Sequence, residues 1–319
     1  MTWLVTGGAG YIGAHVVRAF NEAGMQAVVV DDLSSGHPSF VDADTPLVEC
    51  SILDTAALRE TLINHEVTGV VHLAAFKYAG ESVNRPLHTY TENVTGTISL
   101  LEAMKEAGVG NLVFSSSAAT YGTPDVDLVT ETTAVTPESP YGRSKLIGEW
   151  LLEDFARAHG LAHTSLRYFN VVGSGYPDIR DTSPHNLFPI VLDALVAGHT
   201  PKIFGDDYPT PDGTCVRDYI HVADLAHSHV VAARALSEGK ALEPVYNLGS
   251  GDGVSVREIM TAMSEVTGIE FTPETAPRRR GDPARIVASG EAAARDLEWV
   301  MRHSLNDMVA SAWDARKQA

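Results

Sequence analysis

Short apolar segments alternate with amphipathic segments along the first half of the chain. Residues 3–6 and 27–30 are short apolar runs, which is typical of buried parallel strands. Between these runs, apolar side chains recur at helical spacing from Ile12 to Phe20, and Gly24 follows as a helix stop. The alternation of strand and helix continues to about residue 170 and predicts βαβ units. The expected fold class is therefore α/β, with a doubly wound parallel sheet.

Further elements follow the same alternation up to residue 170. The predicted strands are 46–50, 70–75, 112–114 and 164–168, and the predicted helices are about 56–64, 88–107 and 141–158. After Asn170 the pattern changes, because loops rich in Pro and Gly at 173–189 and 204–214 interrupt short helices. We therefore expect a first domain over residues 1–170 and a smaller C-terminal lobe over 171–319. Residues 216–240 are expected to rejoin the first domain through a strand and a helix.

The first strand leads into a glycine-rich turn that suits a phosphate group. Gly7, Gly10 and Gly13 are spaced G-x-x-G-x-x-G between the strand and the helix. Glycine permits the tight turn and lets a pyrophosphate approach the backbone, while the helix N-terminus supplies unpaired N–H groups and a positive dipole end. A glycine pattern alone describes many turns. A strand before it and a helix after it are the context that a dinucleotide-binding site requires.

An acidic residue follows the second strand, where a dinucleotide site holds the adenosine ribose. Asp31 and Asp32 end this strand, and an acid there accepts hydrogen bonds from the ribose hydroxyls. The same carboxylate repels the additional phosphate of NADP. No Lys or Arg occurs from residue 31 to residue 40 to neutralise that phosphate. We therefore expect NAD rather than NADP as the cofactor.

Tyr141 and Lys145 are four residues apart on a predicted helix and so share one face of it. A free tyrosine has a pKa near ~10, which is too high for a base at neutral pH. We expect the Lys145 ammonium to favour the phenolate and to lower the pKa of Tyr141. The pair would then act as a general base, with a hydroxyl from the run Ser115, Ser116 and Ser117 completing the proton path.

Composition and charge restrict the class of protein further. The chain has 319 residues, and its net charge of −18 (23 Lys and Arg against 41 Asp and Glu) argues against a nucleic-acid or anionic-membrane partner. It holds no apolar run of about 18 residues that could cross a membrane, and its first strand leaves no room for a signal peptide. Cys50 and Cys215 form neither a metal spacing nor a disulfide framework, and the 13 histidines show no zinc spacing. We expect a cytoplasmic protein without a metal site.

These motifs together resemble those of the UDP-glucose (UDP-galactose) 4-epimerases, a family within the extended short-chain dehydrogenase/reductases, and the resemblance covers nearly the whole chain. The matching segments are residues 5–13, 75–77, 80–82, 115–122, 141–145, 167–170, 205–210, 216–222, 246–249 and 278–282. The glycine motif specifies only the superfamily, whereas 207–210 and 217–221 are far more specific. The resemblance implies a Rossmann-like NAD-binding domain and a C-terminal UDP-sugar lobe. It also implies a homodimer that pairs through the helix at 88–107 and the helix that carries Tyr141.

The resemblance assigns roles to individual residues as well. Tyr141 would be the base, Lys145 would activate it and bind the nicotinamide ribose, and Ser117 would hydrogen-bond the sugar 4-hydroxyl. The residues implied at the cofactor are Gly7, Gly10, Tyr11, Ile12, Gly13, Asp31, Asp32, Ser51, Ile52, Ala74, Ala75, Lys77, Asn93, Ser115, Tyr141, Lys145 and Tyr168. The residues implied at the substrate are Lys77, Ser117, Tyr141, Asn170, Asn186, Leu187, Phe204, Arg217, Arg279, Asp282 and Ile286.

The arginines and one aromatic residue carry expectations from their own chemistry. A bound pyrophosphate needs cations, and the guanidinium groups of Arg217 and Arg279 offer planar donors for it. The neighbouring Arg278 and Arg280 are expected to be solvated. Phe204 is a candidate to stack on the uracil ring.

Two positions bear on how closely the chain follows the family pattern. Ser51 stands where the family usually has an Asp that contacts the adenine amino group, so that contact is in question.

Ile286 aligns with a position where a bulky Tyr excludes N-acetylated sugars and a small residue admits them. Isoleucine is intermediate in size and stiff. We therefore expect UDP-glucose and UDP-galactose as the main pair, with weaker activity on UDP-N-acetylglucosamine.

The resemblance implies a reversible, NAD-dependent 4-epimerisation of UDP-glucose and UDP-galactose through a transient 4-keto sugar and bound NADH. A 4-epimerase of another UDP-sugar, an N-acetylhexosamine or a pentose, is the alternative. A nucleotide-sugar 4,6-dehydratase would need proton-transferring carboxylates directly after Ser117, where Ala118 and Ala119 stand. A non-catalytic NAD-binding regulator would not need Ser117, Tyr141 and Lys145 all intact.

Overall fold

A computed structural model describes residues 1–279 and 282–318, and within them the largest sheet has seven strands. The strands, in chain order, are β1 (Thr2–Thr6), β2 (Gln26–Asp31), β3 (Leu47–Glu49), β4 (Val67–His72), β5 (Asn111–Ser115), β6 (Ala162–Tyr168), β7 (Asn170–Val172), β8 (Lys202–Phe204), β9 (Val216–Arg217), β10 (Tyr219–His221), β11 (Val245–Leu248), β12 (Val254–Ser255), β13 (Glu274–Ala276) and β14 (Arg285–Ile286).

Helices connect most of these strands. In chain order they are α1 (Tyr11–Glu22), α2 (Thr55–Asn64), α3 (Ala79–Ser82), α4 (Pro86–Tyr90), α5 (Gly96–Ala107), α6 (Pro140–His159), α7 (Leu187–Val196), α8 (Val222–Ser237), α9 (Val256–Thr267), α10 (Glu291–Leu297) and α11 (Leu305–Lys317). A π-helical turn, Thr91–Thr95, joins α4 to α5. None of the helices in the described part of the chain is long and apolar enough to span a membrane.

The large sheet has the order β11-β6-β5-β4-β1-β2-β3, and all its strand pairs are parallel. Val5 of β1 pairs with Val29 on one side and with Val71 on the other. The chain order reverses on either side of β1, so a crevice opens there at the carboxyl ends of the strands. The predicted doubly wound α/β fold is confirmed.

Apolar side chains fill both faces of this sheet because successive residues of a strand point to opposite sides. Trp3 of β1 joins the cluster formed with Phe20 of α1 and Tyr246 of β11. Its neighbour Leu4 joins the other cluster, which includes Leu112 of β5. Burying each such side chain contributes about 1.5–3 kcal/mol, so the sheet is held firmly between its helices.

The smaller lobe is built after β6 from short strands and three helices. The strand pairs are β7 with β10 and β8 with β13, and β9 lies between β12 and β14. Phe188 of α7, Met263 of α9 and Val309 of α11 lie in one buried cluster. Between the lobe's segments, α8 returns to pack against α1, and β11 then adds to the large sheet. The returning strand therefore lies at residues 245–248, beyond the predicted 216–240.

Two predicted boundaries differ from the observed ones. The strand predicted at 70–75 ends at His72, because the next two N–H groups, of Leu73 and Ala74, donate to the hydroxyl of Thr6 (both 3.2 Å). The helix predicted at 88–107 begins at Pro86 and contains the π-helical turn. Proline is well suited to the first turn of a helix, where its missing N–H costs nothing.

Candidate active site

The glycine loop between β1 and α1 forms a cradle that side chains would fill. Gly7 has a φ of +71°, a left-handed conformation that favours glycine. A Cβ atom on Gly13 would lie 2.1 Å from the carbonyl oxygen of Gly7, so only glycine fits there. Gly10 is the N-cap of α1 and brings no side chain to cap it. The first N–H groups of α1 are therefore available to a phosphate.

Asp31 connects the end of β2 to this loop. Its buried carboxylate accepts hydrogen bonds from the N–H groups of Ala9 (3.0 Å) and Leu33 (2.9 Å). Burial raises the pKa of Asp31 above its ordinary value, and these two hydrogen bonds partly oppose that shift. The adjacent Asp32 accepts hydrogen bonds from the N–H and the hydroxyl of Ser34 (2.9 and 2.6 Å).

A cavity of about 870 Å³ begins at this glycine loop and extends across the carboxyl ends of the strands to the smaller lobe. Its volume is in the upper part of the range for small-molecule sites. The implied site residues that line it are Gly7, Gly10, Tyr11, Ile12, Gly13, Asp31, Asp32, Ile52, Ala74, Ala75, Lys77, Tyr141, Lys145, Tyr168, Asn170, Asn186, Leu187, Phe204, Arg217, Arg279 and Asp282. Most residues implied by the resemblance therefore meet at one continuous cavity.

Three implied cofactor residues lie behind the wall of this cavity. The hydroxyl of Ser51 accepts a hydrogen bond from the Leu53 N–H (3.1 Å). The hydroxyl of Ser115 lies 2.7 Å from Nε2 of the buried His229. The side chain of Asn93 hydrogen-bonds the backbone N–H and carbonyl oxygen of Phe76 and the hydroxyl of Ser144. The preceding residue, Glu92, lines the cavity instead.

Two implied substrate residues also lie outside the cavity lining. Ser117 begins a short 3-10 turn, where its hydroxyl accepts a hydrogen bond from the Ala119 N–H (3.1 Å). Ile286 packs with Phe169 against the small buried cluster that contains Tyr121. Its assignment as the wall that selects N-acetylated sugars stays a prediction.

Tyr141 is placed at the cavity by the start of α6. Ser139 is the N-cap, and its hydroxyl accepts a hydrogen bond from the Gly142 N–H (3.1 Å). The Tyr141 N–H donates to the buried hydroxyl of Ser82 (3.2 Å), which ties α6 to α3. Burial raises the pKa of the Tyr141 phenol above its ordinary value, and the Ser117 hydroxyl offsets part of that rise.

Lys145 is not among the causes of this pKa shift, so its expected activation of Tyr141 stays a prediction. Lys145 Nζ lies 5.9 Å from the centre of the Tyr141 ring and donates a hydrogen bond to the Ser115 carbonyl oxygen (2.8 Å). Burial lowers the pKa of Lys145 to about 8, and the nearby carboxylate of Glu149 partly opposes this shift. Burial is the largest cause of both pKa shifts.

A buried ion pair lies directly behind Lys145. Glu149 is one helical turn beyond Lys145 on α6, and its carboxylate binds the guanidinium of Arg167 through two hydrogen bonds (2.8 and 2.5 Å). Ser116 donates a third hydrogen bond to the same carboxylate (2.5 Å). Glu149 was not predicted from the sequence, although its position four residues after Lys145 places it on the same helix face.

At the far end of the cavity, the arginines contact aromatic rings. The guanidinium of Arg279 lies 4.0 Å from the centre of the Phe204 ring, and Arg217 Nη2 lies 3.7 Å from Asp282 Oδ1. Arg278 is exposed, as expected, and its guanidinium also stacks on Tyr208 (4.1 Å) and pairs with Asp207 (2.6 Å). Arg280 and Gly281, also in the matching segment 278–282, lie outside the described residues.

Several cavity-lining residues were assigned no role in the sequence analysis, although Phe76 and Glu81 lie in matching segments. They are Phe76, Tyr78, Glu81, Glu92, Asp181 and His185. The carboxylate of Asp181 accepts hydrogen bonds from the side-chain amide of Asn186 (2.7 Å) and from the Ser183 N–H (2.9 Å). Burial raises the pKa of Asp181, and Lys77 opposes that shift through its charge. Within residues 1–279 and 282–318, no group of three or more His, Cys, Asp or Glu side chains is arranged to hold a metal ion.

A glycine cradle, a tyrosine–lysine pair and a doubly wound sheet together are typical of enzymes that bind a nicotinamide dinucleotide. The chain belongs to the NAD dependent epimerase/dehydratase family, whose model matches residues 3–249. It is 46% identical to the UDP-glucose 4-epimerase of Corynebacterium glutamicum, an alignment that covers 98% of this chain and 95% of that protein.

Solved structures give the same result. The UDP-glucose 4-epimerase of Brucella ovis, in complex with NAD, superposes with a TM-score of 0.94 at 41% identity, over 98% of this chain and 97% of that one. The UDP-Glc/GlcNAc 4-epimerase of Campylobacter jejuni superposes with a TM-score of 0.87 at 36% identity, over 100% and 99%. The resemblance inferred from the motifs is thus confirmed.

Proposed function

We propose that this protein catalyses the reversible, NAD-dependent 4-epimerisation of UDP-glucose and UDP-galactose. One observation carries the proposal: a single cavity joins the glycine cradle, the Tyr141–Lys145 pair and the cations Arg217 and Arg279. A dinucleotide, an acid–base residue and a diphosphate anchor are what this reaction requires. Relatives named UDP-glucose 4-epimerase at 41–46% identity support the choice of substrate.

The residues around the glycine cradle fit NAD. A Cβ at Gly13 would fill the cradle, and Asp31 presents a carboxylate at the end of β2, where it disfavours a 2′-phosphate. NAD, when bound, would accept a hydride from C4 of the sugar and later return it. The family and the Brucella ovis structure solved with NAD support the same cofactor.

In the proposed mechanism, the phenolate form of Tyr141 accepts the proton of the sugar 4-hydroxyl at its phenolic oxygen, and the phenol so formed later returns that proton. Ser117 influences the pKa of that phenol and is the hydroxyl assigned to the same proton path. The Lys145 ammonium is buried beside them and keeps positive charge near the phenol. Lys145 is buried and Tyr141 and Ser117 are half-buried, which limits the access of water while the sugar is oxidised at C4.

Arg217, Arg279 and Asn186 are assigned to the UDP portion of the substrate. The first two bring positive charge to the cavity end, and Asp181 orients the amide of Asn186 by accepting one of its two N–H donors. The face of Phe204 that Arg279 covers is not open to uracil. Uracil would therefore stack on the opposite face of Phe204 or displace Arg279 toward the diphosphate.

The competing functions fit less well. A 4,6-dehydratase needs acid and base groups beside Ser117, and Ala118 and Ala119 have no proton to transfer. An N-acetylhexosamine epimerase needs space for an acetamide group, and a structural relative is named UDP-Glc/GlcNAc 4-epimerase. We keep UDP-N-acetylglucosamine as a weaker substrate in this proposal.

The proposal includes a homodimer in the cytoplasm. Leu87, Ile98 and Trp150 are large apolar residues that remain 80%, 39% and 53% exposed on α4, α5 and α6, the helices expected to pair. Large exposed apolar side chains on the helices expected to pair are consistent with a subunit contact there. The two cysteines, Cys50 and Cys215, are free thiols, as in proteins of reducing compartments.

The direct test is product analysis with purified protein and UDP-galactose, without added cofactor or reductant. We expect conversion to UDP-glucose, and the same equilibrium mixture when the reaction starts from UDP-glucose. A panel that adds UDP-N-acetylglucosamine and a UDP-pentose ranks the alternatives. A 4-keto-6-deoxy product, or no conversion of any UDP-sugar, would contradict the proposal.

A further inference from the structure

Three cavity-lining residues outside the implied site connect its two sides. Tyr78 and Glu81 follow β4 on the large domain, and His185 precedes α7 in the smaller lobe. The rings of Tyr78 and His185 meet edge to face, with centres 5.1 Å apart at 69°. His185 Nε2 lies 3.3 Å from Glu81 Oε1. We name Tyr78, Glu81 and His185 the clasp.

The large-domain half of the clasp is anchored at both ends. At one end, the side chain of Asn93 bonds both the N–H (2.7 Å) and the carbonyl oxygen (3.1 Å) of Phe76. At the other end, the hydroxyl of Ser82 accepts the N–H of Tyr141 (3.2 Å). The segment between them, which holds Tyr78 and Glu81, is thereby fixed to the helix that carries the proposed base.

The lobe half is anchored as well. Asp181 binds the Ser183 N–H and the Asn186 amide, on either side of His185. Two of the three clasp residues are also next to an implied substrate residue, since Lys77 precedes Tyr78 and Asn186 follows His185. The clasp therefore joins two fixed loops across the cavity, beside the groups expected to hold the substrate.

We propose that the clasp retains a UDP ligand by limiting how fast the two sides of the cavity separate. The inference rests on the proposed function only in the identity of the ligand. Slow release of the ligand suits the reaction, because a sugar oxidised at C4 must stay in the cavity until it is reduced. The clasp residues are positioning residues, and none is assigned a contact with the ligand.

The test measures the dissociation rate of UDP from the holoprotein by surface plasmon resonance. His185→Ala removes both clasp contacts and should speed UDP release about 3- to 10-fold, the combined scale of one edge-to-face pair and one exposed polar contact. Glu81→Ala and Tyr78→Ala should each have a smaller effect. Adding Glu81→Ala to His185→Ala should change nothing further. His199→Ala, an exposed histidine away from the cavity, is the matched control and should match the wild type.

Several outcomes would overturn the proposal that the clasp retains UDP. They are a wild-type dissociation rate in His185→Ala, effects of the Glu81 and His185 variants that simply add, or loss of UDP binding in every variant. Conversion of UDP-galactose by the wild-type protein is measured in parallel. Absence of that conversion counts against the proposed function, whereas unchanged UDP release with normal conversion counts against the clasp alone.

Discussion

Replacing Glu149 with Gln should both destabilise the protein and shift the pH dependence of its activity. Glu149 and Arg167 are 3% and 5% exposed, so the pair is shielded from water. The Glu149 carboxylate accepts hydrogen bonds from Arg167 and from Ser116. In Glu149→Gln the guanidinium keeps its charge in a buried position without a counter-ion. Breaking a buried pair in this way costs about 3–5 kcal/mol.

That cost converts to a measurable change in melting temperature. For a chain of this length, a loss of about 3–5 kcal/mol lowers Tm by about 4–8 °C. The matched control is Glu153→Gln, one turn further along α6, where the ion pair with Arg157 is exposed. Exposed pairs contribute about 0–1 kcal/mol, so the control should melt within about 1 °C of the wild type. A Glu149→Gln variant that melts with the control would refute the argument.

The electrostatic consequence falls on Lys145. Burial lowers the pKa of Lys145 to about 8, and the Glu149 charge acts in the opposite direction. Without that charge, the pKa of Lys145 moves below about 8, and its ammonium deprotonates at a lower pH. We expect the alkaline limb of the kcat/KM profile to shift to lower pH in Glu149→Gln and to stay in place in Glu153→Gln. A shift to higher pH, or none, would show that Lys145 does not act as an ammonium.

Three further predictions concern the cofactor and the substrate. Gly13→Ala should abolish NAD retention, because the added Cβ would lie 2.1 Å from the Gly7 carbonyl oxygen; NAD in extracts of the denatured variant would contradict this. The wild-type extract should contain NAD or NADH, and mainly NADP would contradict the role of Asp31. In Ile286→Tyr, kcat/KM for UDP-N-acetylglucosamine should fall relative to UDP-glucose. An unchanged ratio would mean that Ile286, which packs with Phe169, does not select the sugar.

The features that sequence reasoning identified are local in the chain. The glycine cradle depends on residues 7–13, and the strand and helix that flank it give their own apolar patterns. Tyr141 and Lys145 share a helix face by spacing alone. Asp31 is identified by its place after β2. In each case the signal and the structure it predicts lie within one element, so no tertiary contact has to be known.

The features that were missed depend on tertiary contacts or irregular backbone. Glu149 meets Arg167 from another element, and the spacing of α6 does not reveal that partner. Glu81 and His185 come together across the cavity from two loops. Asn93 lies in the π-helical turn, where regular helical spacing no longer tells which residue faces the cavity. The raised pKa of Tyr141 follows from burial, which spacing alone does not give.

The central claim is that Tyr141 is the base of a UDP-hexose 4-epimerase. The most direct measurement compares kcat for UDP-galactose in the wild-type protein and in Tyr141→Phe, together with NAD content and UDP affinity. We expect kcat to fall by about 100-fold or more, the scale of general acid–base catalysis, while bound NAD and UDP affinity stay at wild-type levels. A Tyr141→Phe variant that turns over UDP-galactose at a near-normal rate would contradict it.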